Sequence, residues 1–190
     1  MKKGLIIAAA MILAVCLGIG GTLAYLFTQT NSVVNTFEYG DVNIDLTETV
    51  SGTTQSAATN KVENKNFKMI PGNTLTKDPK AIVKANSEDC WLFVKIDKSA
   101  NFGDFMTFEI ATGWTELEAG VYYREVSKST ADQPFSILQN DAVKVKEDVL
   151  KTQLNALVAA NYPTLTFTAY AVQKANVANA AVAWAIANGN

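Results

Sequence analysis

Any catalysis in this chain would have to proceed without an imidazole, because its 190 residues include no histidine. That absence rules out Ser-His-Asp and Cys-His nucleophilic sites, the His-Glu-x-x-His zinc helix, and any imidazole acid or base. Cysteine is nearly as scarce: only Cys16 and Cys90 occur, too few for a thiolate zinc cluster. Carboxylates, lysines, tyrosines and oxygen-ligated cations remain. Asp78, Glu88 and Asp89 are the carboxylates an active site would draw on, but no spacing singles them out, and Asn86-Ser87-Glu88-Asp89 reads as a hairpin turn. Val42, Ile44 and Leu46 alternate with Asp41, Asn43, Asp45 and Thr47, and Asp41, Asp45 and Glu48 could be taken for a cation site. The alternation is the pattern of a strand with one solvated side, not of a cation site, and the Asp-x-Asp-x-Asp-Gly calcium loop does not occur. Cys90 sits in an apolar run with Trp91, Leu92 and Phe93 and reads as a core thiol, with a reactive thiol or an intermolecular bridge as the alternative. The expectation is a protein that is not an enzyme and carries no cofactor or metal.

The one reaction the sequence does announce is cleavage of its own N-terminus. Met1-Lys2-Lys3 is a basic start, residues 5–17 are an apolar run, and Gly18-Ile19-Gly20-Gly21-Thr22-Leu23-Ala24 is a small-residue exit. This is the layout of a secretory signal, with an apolar core of roughly 7–15 residues and small side chains at the −3 and −1 positions. Thr22 and Ala24 take those positions, and Tyr25 becomes the new N-terminus. An uncleaved N-terminal anchor is the alternative, since about 20 apolar residues suffice to span a bilayer. A lipid anchor on Cys16 is disfavoured because Val15, just before it, is not small.

Removing residues 1–24 leaves about 166 residues, which fits a single domain, 25–190, burying roughly 70% of its unfolded surface. The formal net charge of −2 becomes −4 when Lys2 and Lys3 leave. No basic patch suggests nucleic acid as a partner. With Cys90 as the only mature cysteine there can be no internal disulfide, so an apolar core has to hold the domain together.

Most of the mature chain reads as short strands. Period-two alternation marks residues 42–48, and 67–70, 81–84, 102–110, 135–138 and 142–145 read as further strands. Residues 90–97 are the most apolar stretch and read as a central strand. Residues 114–117 and 121–126 form a hairpin across Glu118-Ala119-Gly120. Residues 164–172 are the last long strand, with Leu165, Phe167, Ala169 and Ala171 on one face and Thr166, Thr168, Tyr170 and Val172 on the other. Pro71-Gly72-Asn73 is a turn and Thr76-Lys77-Asp78-Pro79 a break. Residues 49–66, rich in Ser, Thr and Asn, read as a long surface loop. Helical spacing appears at 149–160 and, behind an Asn176 cap, at 177–187. Many strands with two short helices, preceded by a signal helix, make the expected class mostly β: an antiparallel β-sandwich.

The order of these segments resembles the TasA/camelysin-like exported proteins of Gram-positive bacteria. The resemblance rests on Gly20-Gly21-Thr22-Leu23-Ala24-Tyr25, on residues 34–48, on Ile70-Pro71-Gly72-Asn73 with Leu75-Thr76-Lys77-Asp78-Pro79, on Trp91-Leu92-Phe93-Val94-Lys95-Ile96, and on the closing Phe167–Gln173 stretch with Trp184. It spans nearly the whole chain. It implies a jelly-roll sandwich, processing by a dedicated signal peptidase of the SipW type, release to the extracellular matrix or cell surface, and self-association with matrix subunits into biofilm fibres by β-strand donation. Residues 25–37 are the candidate donor strand: they are uncharged and carry Tyr25, Leu26, Phe27, Val33, Val34 and Phe37. The other reading makes this segment the first strand of its own sheet. Some relatives carry a casein-cleaving metalloprotease label, from which a chain without histidine departs. A monomeric surface binding module displaying the 49–66 loop is the alternative function.

Overall fold

The structure, a computed structural model, describes residues 40–50, 53–56 and 67–189. The signal segment, with Thr22 and Ala24, and the candidate donor residues Tyr25, Leu26, Phe27, Val33, Val34 and Phe37 lie outside the described residues. The elements in chain order are β1 (Ile44–Val50), β2 (Thr53–Ser56), β3 (Thr74–Thr76), β4 (Lys80–Val83), β5 (Cys90–Lys98), α1 (Phe102–Phe105), β6 (Met106–Ile110), β7 (Thr115–Glu118), β8 (Val121–Val126), β9 (Gln133–Ser136), β10 (Leu138–Val145), α2 (Lys151–Asn155), a 3-10 turn (Ala159–Asn161), β11 (Leu165–Gln173) and α3 (Ala180–Ala187).

β5 is the strand on which the others are arranged. Its near-continuous apolarity reflects two covered faces. Cys90, Leu92, Val94 and Ile96 point into the main core, while Trp91 and Phe93 point the other way, under α3. β11 runs antiparallel along one side, in register from Leu165↔Lys98 to Gln173↔Cys90. β8 pairs along the other side, and β7 pairs with β8, giving the order β11-β5-β8-β7. The sequence assignment of the two faces of β11 holds: Leu165, Phe167, Ala169 and Ala171 pack on the main core, Tyr170 and Val172 on the α3 side. Trp184 of α3 meets Tyr170 edge-on at 5.3 Å and Phe93 at 5.4 Å. Its indole N–H donates to Glu118 Oε1 at 2.7 Å, tying the helix to β7.

The opposing layer consists of two ladders, β2-β1-β4-β9 and β3-β10-β6. They share long, broken strands. β3 and β4 are one strand interrupted at Asp78-Pro79, and β9 and β10 are its interrupted partner. Pro79 has no N–H to give, so pairing must break there. Across the break, Ile137 N–H donates to the Pro79 carbonyl at 3.0 Å and Lys77 N–H to the Asp141 carbonyl at 2.8 Å. Asn140 and Asp141 take the left-handed conformation (φ 56° and 51°) at the bulge where the register of β10 against β6 shifts between Leu138 and Val143. All pairings within both layers are antiparallel. Ala81, Val83, Ile137, Leu138, Val143 and Val145 from this layer meet the β5 face in one core. The fold is mostly β, with antiparallel sheets and three α-helices among the described residues.

Several segments differ from expectation for local physical reasons. Residues 102–110 are not one strand. Phe102 and Phe105, three apart, both reach the core because α1 is a helical turn, whereas a strand would send them to opposite faces. Residues 67–70 form no strand. The Pro71-Gly72 turn (Gly72 φ +78°) closes first, and pairing begins where Gly72 and Asn73 exchange bonds with Val145. The 49–66 stretch is not all loop, since β2 folds back on β1 from Val50↔Thr53, as its β-prone threonines allow. Asn86-Ser87-Glu88-Asp89 is no hairpin, because it joins strands in different layers. The 149–160 helix is broken in two. Gln153 Oε1 caps Leu150 N–H and Asn161 Oδ1 caps Val158 N–H, both at 2.7 Å, and Leu150 and Val158 stand exposed with no core to hold a longer helix. The last helix starts at Ala180, capped by Asn179 Oδ1 on Val182 N–H. Asn176, the expected cap, sits at φ 62° in the preceding turn.

Candidate functional site

The carboxylates that an active site would have to draw on are occupied in separate structural roles. Asp78 accepts from Thr49 N–H (2.9 Å) and Thr49 Oγ1 (2.7 Å), which continues the β1 ladder past the Pro79 break. Burial pushes its pKa up, but the Thr49 donors and the Lys80 charge outweigh that and hold it below the usual carboxylate value. Glu88 pairs with Lys128 Nζ at 2.7 Å, and Asp89 Oδ1 takes Lys128 N–H at 2.7 Å. Asp41 accepts from Val42 N–H and Asn43 Nδ2. Glu48, read from the sequence with the solvated carboxylates, is not on that side: it shares the parity of Ile44 and Leu46, and both its oxygens lie 2.8 Å from Lys77 Nζ. Cys90 is buried, and desolvation with the neighbouring Asp89 charge pushes its thiol up to about 11. At neutral pH it is therefore a thiol, without the nucleophilic thiolate. Among the described residues no three His, Cys, Asp or Glu side chains share a common ion position.

What the molecule presents instead is a sheet edge. In the β11-β5-β8-β7 sheet, β11 pairs on its β5 side alone among the described residues. Backbone bonding parity shows which groups point outward. Ile96 N–H donates to Gly120 O on the β8 side, while Ser99 N–H donates to Thr164 O and Lys174 N–H to Asp89 O on the β11 side. In an antiparallel ladder direction alternates by residue. Thr166, Thr168, Tyr170 and Val172 therefore bond to β5, and the N–H and C=O groups of Leu165, Phe167, Ala169, Ala171 and Gln173 face away from it. The same two bonds, near Thr164 and at Lys174, pin both ends of the strand.

This edge carries none of the usual guards against strand addition, which are charges, proline, bulges and short length. Leu-Thr-Phe-Thr-Ala-Tyr-Ala-Val-Gln is nine residues long, in unbroken register and uncharged. The far edge of the same sheet is guarded. β7 is four residues, Thr-Glu-Leu-Glu, with its register broken between Glu116 and Glu118.

Beneath the β11 edge the flank between the layers is closed by a paired charge. Lys77 and Glu48 side chains are 14% and 12% exposed, and Lys77 Nζ lies 5.3 Å from the Phe167 ring centroid and 6.0 Å from that of Phe67. A strand added at β11 would run along a floor of Phe167, Ala169 and Ala171 bounded by this pair. Reading the sequence alone identified β11 and its faces but not its position at the edge. The signal available was its lack of any charge, proline or glycine, which describes a central strand equally well.

The chain matches no family model, no curated protein and no solved structure.

Proposed function

We propose that this chain is an exported structural subunit of a Gram-positive cell surface or biofilm matrix, not an enzyme, and that it assembles by β-strand donation into the β11 edge. The observation that carries the reading is the nine-residue, uncharged, singly paired β11. The donor is residues 25–37 of a neighbouring subunit, an uncharged segment with Val33, Val34 and Phe37. Strand addition supplies affinity through main-chain hydrogen bonds and specificity through alternate side chains. Cleavage after Ala24 by a dedicated signal peptidase frees the donor, so that export and assembly are one switch. The sandwich is of jelly-roll type on this reading, as the resemblance to TasA/camelysin-like proteins implies, and the chain's repeated passage between layers from β4 to β11 is compatible with it.

The test is electron microscopy of the mature chain beginning at Tyr25 beside one lacking residues 25–33. Filaments are expected from the first and folded monomers from the second. A synthetic 25–37 peptide added in trans should shorten the filaments of the intact chain in proportion to its concentration. Filaments from the truncated chain would exclude this donor. A mature chain that stays monomeric at high concentration would favour the surface binding module instead.

A further inference from the structure

Of the chain's 16 Lys and Arg residues, Arg124 alone is arginine, and it makes no ion pair among the described residues. It projects from β8 toward β9 of the opposing layer, with its guanidinium carbon 3.9 Å from the Phe135 ring centroid and 5.4 Å from that of Trp114. Trp114 is itself fixed, its indole N–H donating to the Ser136 carbonyl at 2.8 Å. Stacking of this kind holds a guanidinium plane in place but uses none of its five N–H donors, which lie in the plane. Nε is buried with no hydrogen-bond partner. The Nη end emerges beside Gly113, which is exposed and has φ +87°. A Cβ on Gly113 would sit 3.3 Å from Nη2 and 3.5 Å from Nη1, so the missing side chain leaves the fork uncovered. Burial without a counter-charge works against the cationic form and pulls the guanidinium below its ordinary pKa.

We propose that Arg124, walled by Phe135 and Trp114 and open at Gly113, is a receptor for a carboxylate, which it grips end-on through Nη1 and Nη2. A planar fork held against two aromatic rings matches a planar two-oxygen anion, and paired N–H···O bonds to a charged acceptor are the strong kind. The carboxylate comes either from a free small acid or from an Asp or Glu of a second copy. The site lies on the β8–β9 side of the molecule, away from the β11 edge, and does not depend on the assembly reading.

A single arginine gives a single Nε–Hε nuclear magnetic resonance signal, so the site has its own reporter. The 15N-labelled mature protein, carrying Ala169→Pro so that the β11 edge is blocked, is titrated with sodium acetate at constant ionic strength against sodium chloride, and separately diluted in the absence of acetate. A saturable displacement of the Arg124 signal with acetate identifies a receptor open to free carboxylates. Displacement that follows protein concentration identifies a second copy as the source. In Arg124→Lys, which keeps the charge and loses the fork, the Trp114 indole signal reports binding, and its half-saturation should weaken at least about tenfold, as expected when a bidentate partner is lost. The proposal is overturned by an Arg124 signal that neither follows dilution nor moves with acetate beyond its response to chloride, or by a Lys variant that titrates like the parent.

Discussion

The two edges of one sheet, β11 and β7, are built on opposite principles. β7 is short, broken in register and carries Glu116 and Glu118, the devices by which proteins keep edges from pairing. β11 has nine residues, perfect register and no charge. The charges instead sit on its central neighbour, where Lys95, Asp97 and Lys98 end β5. Among the described residues one edge of the sheet is guarded and the other is not, and on the proposed reading β11 is the edge that accepts another strand.

The largest effect should come from placing proline at each edge. Ala169→Pro removes one outward N–H of β11 without touching the β5 ladder, a position proline tolerates, and should abolish filament formation. Glu116→Pro does the equivalent at β7, where Glu116 sits opposite Tyr122, and should leave filaments intact. Microscopy of the two variants side by side checks this; equal loss in both would erase the distinction between the edges.

Next in size is the support behind β11. Phe93, fully buried between β5 and α3, should cost about 3–5 kcal/mol when truncated to Ala, a large part of a total stability of roughly 5–15 kcal/mol. Denaturant unfolding measures it, and a near-parental midpoint would mean that the β5 platform is not what holds the edge. Lys77→Met should cost about 2–4 kcal/mol, because it strands the largely enclosed Glu48 carboxylate without its partner. Combining it with Glu48→Leu should recover much of the loss.

The smallest effect is a pH dependence. Asp78 has a folded pKa below its unfolded one, so its contribution is fully present above the ordinary carboxylate pKa and fades as pH falls through the folded value. Asp78→Asn should lower stability by about 1 kcal/mol near neutrality and show a shallower loss of stability as pH falls below the ordinary carboxylate pKa. Parallel acid limbs for parent and variant would remove Asp78 from the ladder that stiffens the layer facing β11.

How far the sequence foretold this molecule depended on the range over which each signal acts. The central place of β5, the two faces of β11, the β7–β8 hairpin with Gly120 at φ 79° and the Pro71-Gly72 turn were legible, because apolar period and turn chemistry are local. Segments decided by tertiary cover were not. α1 depends on a core pocket for Phe102 and Phe105, and the 149–160 helix fails for want of a surface to bury Leu150 and Val158. Edge or centre is set by which strands pair across long separations, so the openness of β11 could not be read from its residues. Nor could the bracket around Arg124 of β8, whose walls come from β9 and from the turn before β7.

The central claim is tested most directly by amide hydrogen exchange on the folded monomer lacking residues 25–33, with and without the 25–37 peptide. Outward amides of Phe167, Ala169 and Ala171 should exchange quickly alone and become protected on binding, while those of Thr168 and Tyr170, already bonded to β5, and of Glu116 at β7 should change little. Protection appearing at β7, or no new protection along β11 at saturating peptide, would contradict the account.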